Sequence, residues 1–154
     1  MRYFLVLAYF LAVAAHGETI EGTVLGSGTG INYRTLVKSA AGLEEKLCPR
    51  TLSDKIDGYK KMYVQIEGER EKRCFSPKSF KVLKTPRGAA PLAGFLRYEN
   101  KAYLLETEKR KYTLGKISSR LKALKDQKVL LDLAQPVKKN SVEIYNVILF
   151  LKAP

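Results

Sequence analysis

Nine tyrosines, six phenylalanines and 28 lysines and arginines, set against a single histidine, define the chemistry open to this chain. Aromatic and basic side chains interleave most densely between Phe95 and Tyr112. Within that stretch Lys101 and Tyr103, then Lys109, Arg110, Lys111 and Tyr112, form the candidate ligand-binding set. Rings offer stacking platforms, and cations offer counter-charge to phosphate, sulfate or carboxylate groups. The same pattern also suits an ordinary strand pair, because tyrosine is favoured on any strand.

The lone histidine, His16, lies in the N-terminal segment. Arg2, an apolar run from Tyr3 to Ala15, and the small residues Ala15 and Gly17 have the form of a secretory signal peptide. Residues 1–17 are expected to be removed, with cleavage before Glu18. The run is short for a spanning helix, which needs about 20 apolar residues. No later segment is apolar enough to span, so a periplasmic or secreted product is expected. Without the leader, bases fall from 28 to 27 against 15 acids, a net charge of +12. A field of that sign favours anionic partners such as nucleic acid, an envelope glycan, a lipid headgroup or an acidic protein surface.

A mature chain without histidine has no Ser-His-Asp triad, no Cys-His pair and no His-containing zinc site. Two cysteines alone make no four-thiolate site, so neither a metal nor another cofactor is expected. Carboxylate- or lysine-based catalysis stays open, although no pair stands out. In an exported chain, Cys48 and Cys74 are expected to form one disulfide. Gly26-Ser27-Gly28-Thr29-Gly30 lacks the Lys-Ser/Thr of a phosphate-binding P-loop and reads as a hairpin connection.

The elements that must position these groups repeat. Thr85-Pro86-Arg87-Gly88-Ala89-Ala90-Pro91 has linker composition, with the linker proper at residues 87–91 between segments 18–86 and 92–154. The first segment opens Ile20-Glu21-Gly22-Thr23-Val24 and the second Leu92-Ala93-Gly94-Phe95-Leu96; they close on Val82-Leu83-Lys84 and Phe150-Leu151-Lys152. Alternation predicts strands with Met62, Val64 and Ile66, and with Val129, Leu131 and Leu133, facing a core. A helix carrying Leu52 and Ile56 precedes the first. A helix over Ser119–Gln127, capped by Ser118 or Ser119, precedes the second. Two further strand candidates precede each helix, Tyr33–Lys38 with Leu43–Cys48 and Lys101–Thr107 with Lys111–Lys116.

Three strands, a short helix and two strands is the order of an OB-fold, and glycine in the first strand suits its sharp bend. Gly22, Gly94 and the Leu121–Leu131 run resemble the secreted bacterial OB-fold families of periplasmic proteins. The resemblance covers nearly all of the chain after the leader. It implies a mainly β protein, two tandem OB-like five-stranded barrels with one short helix each. A single larger barrel and a pair of SH3-like barrels are the competing folds. In an OB barrel the third and fifth strands run parallel. Cys48 closes one and Cys74 opens the other, so the disulfide asks the loops to bend.

The function expected is a non-catalytic binding module for an anionic polymer or acidic protein surface. The alternatives are a protein-contact or assembly subunit of the envelope, and an enzyme resembling the secreted OB-fold nucleases. For the last, Asp54-Lys55-Ile56-Asp57-Gly58 is a weak substitute for an acidic calcium cluster.

Overall fold

The computed structural model describes residues 17–153. The expected leader lies outside the described residues except for Gly17. The protein is mainly β, with two sheets, one of them a half-barrel.

The first sheet contains β1 (Glu18–Ser27), β2 (Arg34–Lys38), β3 (Glu44–Lys46), β4 (Tyr63–Arg70) and β5 (Phe75–Lys84), in the order β3-β2-β1-β4-β5. Its neighbours are all antiparallel. Beyond β3 the chain makes one parallel bridge, Leu47 to Phe75, and Cys48 N–H donates to the Phe75 carbonyl at 2.9 Å. Helix α1 (Thr51–Asp57) lies between β3 and β4, with Ile56 buried. The alternation read from the sequence sets the core. Met62, Val64 and Ile66 are buried with Val24, Val37, Leu47, Phe75 and Val82.

The second sheet contains β6 (Leu92–Glu99), β7 (Ala102–Glu106), β8 (Lys111–Leu114), β9 (Lys128–Leu133), β10 (Val137–Lys139), β11 (Val142–Tyr145) and β12 (Val147–Lys152). Its order is β10-β11-β8-β7-β6-β9-β12. Five strands were expected here, and the two more have local causes. Asn140 and Ser141 both have left-handed φ, at 48° and 65°, which closes a two-residue hairpin between β10 and β11. Asn146 then interrupts the last strand. Tyr145, on one side of it, accepts from Gly115 N–H beside β8, and Asn146 itself accepts from Ala134 N–H beyond β9. The chain thus runs parallel to β8 along β11 and antiparallel to β9 along β12.

Helix α2 is shorter than its apolar pattern suggested, Ser119–Lys122, with the Ser118 hydroxyl accepting from Leu121 N–H at 3.2 Å. Its end is set by tertiary hydrogen bonds. Asp126 turns left-handed (φ 61°) and donates its N–H to Leu96 O, and Leu96 N–H donates to Gln127 O. Two bonds to β6 replace further helix. Leu121 still buries, beside Ile117, Leu96, Leu105, Val129 and Leu131.

Gly22 and Gly94 play the same part in each half. A Cβ on Gly22 would lie 2.4 Å from Lys38 O, and one on Gly94 2.4 Å from Glu106 O. Each glycine sits just before the first residue paired to the following strand, Thr23 with Lys38 and Phe95 with Glu106. Its bare Cα admits the close approach of the neighbour's last carbonyl. Gly94→Ala should therefore cost about 1–3 kcal/mol through overpacking, with Gly22→Ala similar. Thermal melts of the two variants check this, and unchanged midpoints would contradict it.

The halves pack on one another. Leu130, Leu149 and Leu151 lie against the first core, and Tyr59 Oη donates to Lys152 O at 2.6 Å. The stretch read as a linker is an ordered turn. Thr85 N–H donates to Ala89 O and Gly88 N–H to Thr85 O, both at 2.8 Å. The buried Thr85 hydroxyl donates to the buried Asp132 carboxylate at 2.8 Å, with Arg87 beside it at 3.8 Å. Thr85→Val takes away that close donor and should lower stability by about 1–3 kcal/mol. Arg87→Ala, removing a longer and exposed contact, should lower it much less. Urea midpoints decide, and equal losses would refute the assignment.

Candidate ligand cleft

The charge pattern on β7 and β8 follows from their register. Tyr103 pairs with Leu114 and Leu105 with Tyr112, so these four share one face. Leu105 and Leu114 are buried, which makes that face the inner one. Tyr103 and Tyr112 are accordingly half-buried and packed against the second core. Tyr103 lies against Tyr98, their ring centroids 4.7 Å apart. Tyr112 meets Tyr145 edge-on at 5.2 Å, and the Arg110 guanidinium lies over Tyr112 at 4.2 Å. Arg110 also donates to Tyr145 Oη, which donates to Glu143. That bond to the Glu143 carboxylate, with burial second, raises the Tyr145 hydroxyl above its ordinary range.

Lys111 points the other way, beside Glu106 on the outer face. It pairs with Glu99 at 3.1 Å and Glu106 at 3.3 Å, and Arg97 pairs with Glu106 and Asp126. Hydrogen bonds from Arg97, then from Lys111, hold the Glu106 carboxyl below its usual range. Lys111 is thus charge-neutralised by its neighbours. Lys101, left-handed at φ 64°, lies in the β6–β7 turn, at the opposite end of β7 from Lys109 and Arg110.

Of the six predicted site residues, Lys109 and Tyr112 line a common cleft of about 770 Å³. It opens where β7 ends. Leu92–Gly94 pair with β9 but extend beyond the end of β7, which stops at Glu106. One wall is therefore Leu92, Ala93 and Phe95, and the other is the Thr107–Lys109 turn. Lys81 reaches in from β5, and Lys128 stands at the start of β9. Phe95 remains 42% exposed, with Lys128 as its cross-strand partner and the Arg97 guanidinium 5.1 Å from its ring centroid. Among the described residues, Lys81, Lys109 and Lys128 have no carboxylate within ion-pair distance.

Lys81 and Lys128 were not singled out from the sequence. Lys81 belongs to the other half, and Lys128 becomes a neighbour of Phe95 only through β6–β9 pairing. Phe95 itself lay in the aromatic-basic stretch. No local signal marks the two lysines.

The disulfide forms, with Cα atoms 5.0 Å apart. The register objection dissolves because the parallel strands barely overlap. The end of one meets the start of the other at the Leu47–Phe75 bridge, which brings Cys48 to Cys74. Glu71 lies near both sulfurs, but bonded cysteines offer no thiolate to a metal. Asp57, of the weak acidic candidate, accepts from Tyr33 and Thr35 and pairs with Lys60 at 3.1 Å. Among the described residues no helix is long and apolar enough to cross a membrane. Comparison of the chain with protein-family models, curated proteins and solved structures gave no match.

Proposed function

We propose that the chain is an exported, non-catalytic binding module of two OB-like barrels that holds an anionic partner in the cleft beside β6. Strand order supports the barrel reading. In each half the first strand pairs with the second and fourth, a helix separates third from fourth, and the third meets the last strand in parallel. The disulfide supports an oxidising compartment, as the leader-like N-terminus does.

The observation that carries the binding reading is the convergence of Lys81, Lys109 and Lys128, which have no carboxylate partner among the described residues, around exposed Phe95. Cations from three separate elements bring a positive field to one concave place, and field lines concentrate in such a cleft. Retention on an immobilised sulfated polysaccharide at low salt, with release as salt rises, is the expected result. Passage through that matrix at low salt would overturn the anionic reading.

A further inference from the structure

We infer that the cleft takes an amphiphilic anion, with its anionic head among Lys81, Lys109 and Lys128 and its apolar body along Leu92, Ala93 and Phe95. This rests on the anionic reading above and narrows it to a class of ligand. The volume of about 770 Å³ falls in the range of sites for single small molecules, roughly 300–1,000 Å³. A polymer does not need such a recess.

The lining separates two kinds of chemistry. Ala93 is exposed and Leu92 half-buried where β7 ends at Glu106, so a strip of aliphatic surface faces solvent next to the exposed Phe95 ring. The three cations are all lysines, compact point charges that hold a headgroup in many orientations, unlike the directional fork of arginine. Neutral hydrogen-bonding side chains are scarce, namely Thr107 and the Tyr112 hydroxyl. A hydroxyl-rich sugar buried there would leave polar groups unmatched, each at a cost. An acyl chain or apolar ring asks nothing of the floor but contact. Of the two carboxylates in the lining, Glu106 is held by Arg97 and Lys111, leaving Glu108 at the turn. The net field at the lysines stays positive.

Calorimetric titration of the full chain with dodecyl phosphate, below the concentration at which it forms micelles, tests this. Dodecyl maltoside supplies the tail without charge, and inorganic phosphate supplies the head without tail. Dodecyl phosphate should bind at least tenfold more tightly than either. Lys128→Ala should weaken it roughly tenfold, as loss of a charged contact does, and so should Phe95→Ser. Both side chains are solvent-facing, and circular dichroism confirms that the variants keep their fold. Vesicles of phosphatidylglycerol, compared between parent and Lys128→Ala, separate the sources. Loss of vesicle binding in the variant supports a bilayer lipid, and vesicle binding equal in both supports a free amphiphile, provided dodecyl phosphate binds as stated. Equal affinity for the maltoside, or for inorganic phosphate, would overturn the proposal. If dodecyl phosphate fails to bind while the sulfated polysaccharide is still retained, the amphiphile is wrong and the anionic reading stands. If both fail, both readings fall.

Discussion

Reducing the Cys48–Cys74 bond should lower stability by about 3.5 kcal/mol, the chain-entropy value for a bridge of this span. The cysteines are separated by 26 residues and enclose α1 and β4. The expected loss is large because the seam they close is thin. One backbone bridge at Leu47–Phe75, and the Cys48 N–H donated to Phe75 O, are its main-chain ties. Phe75 and Leu47 are both essentially fully buried at that seam. If the seam opens, water reaches the first core. For a chain of this size the loss corresponds to a melting temperature lower by roughly 10 °C. Melts with and without reductant, and a Cys48→Ala/Cys74→Ala double variant, should agree. A midpoint unmoved by either change would mean that β5 holds to Leu47 without covalent help.

The second large effect is expected on binding. Replacing Lys81, Lys109 and Lys128 together with Ala removes the cleft's three cations without carboxylate partners. None is buried, so stability should change little. Affinity for an anionic polymer should fall, and with it the salt dependence. Each phosphate neutralised contributes about 0.7–0.9 to the slope of log affinity against log salt for nucleic acid. Three lost contacts should flatten the slope by about 2–3. Lys138→Ala/Lys139→Ala is the matching control. It removes two exposed cations from β10, outside the cleft. If net charge alone drove association, the two changes would act in rough proportion to the charge removed.

Legibility in the sequence followed the range of the interactions. Met62, Val64 and Ile66, and Val129 and Leu131, were readable because a period of two is a local signal, and all five are buried. The Cys48–Cys74 pairing followed from compartment and count. Its geometry did not, since that depended on how far two parallel strands overlap. Ser118 as a cap was readable, but the end of α2 was not, because Asp126 and Gln127 bond to Leu96, some thirty residues earlier. Asp132, between Leu131 and Leu133, alternates away from the expected core. It is buried because Thr85 and Arg87, in the apparent linker, fold back to meet it. The hairpin at Asn140–Ser141 had a usable local signal, two turn residues between short alternating runs. The cleft was the least legible feature. Tyr103 and Tyr112 were marked by composition, yet their register turns them inward, and Lys111 is spent on Glu99 and Glu106. What gathers Lys81 and Lys128 around Phe95 is the pairing of β6 with β9 and the contact between halves.

The most direct test is the salt dependence of binding to one anionic polymer, a single-stranded oligonucleotide, for three proteins side by side: the parent, the Lys81/Lys109/Lys128→Ala variant and the Lys138/Lys139→Ala variant. The cleft account predicts a steep slope for the parent, one flatter by about 2–3 for the triple variant, and a nearly parental slope for the control. A triple variant that keeps the parent's slope and affinity while the control loses them would place the anion on the β10–β11 hairpin and contradict the account.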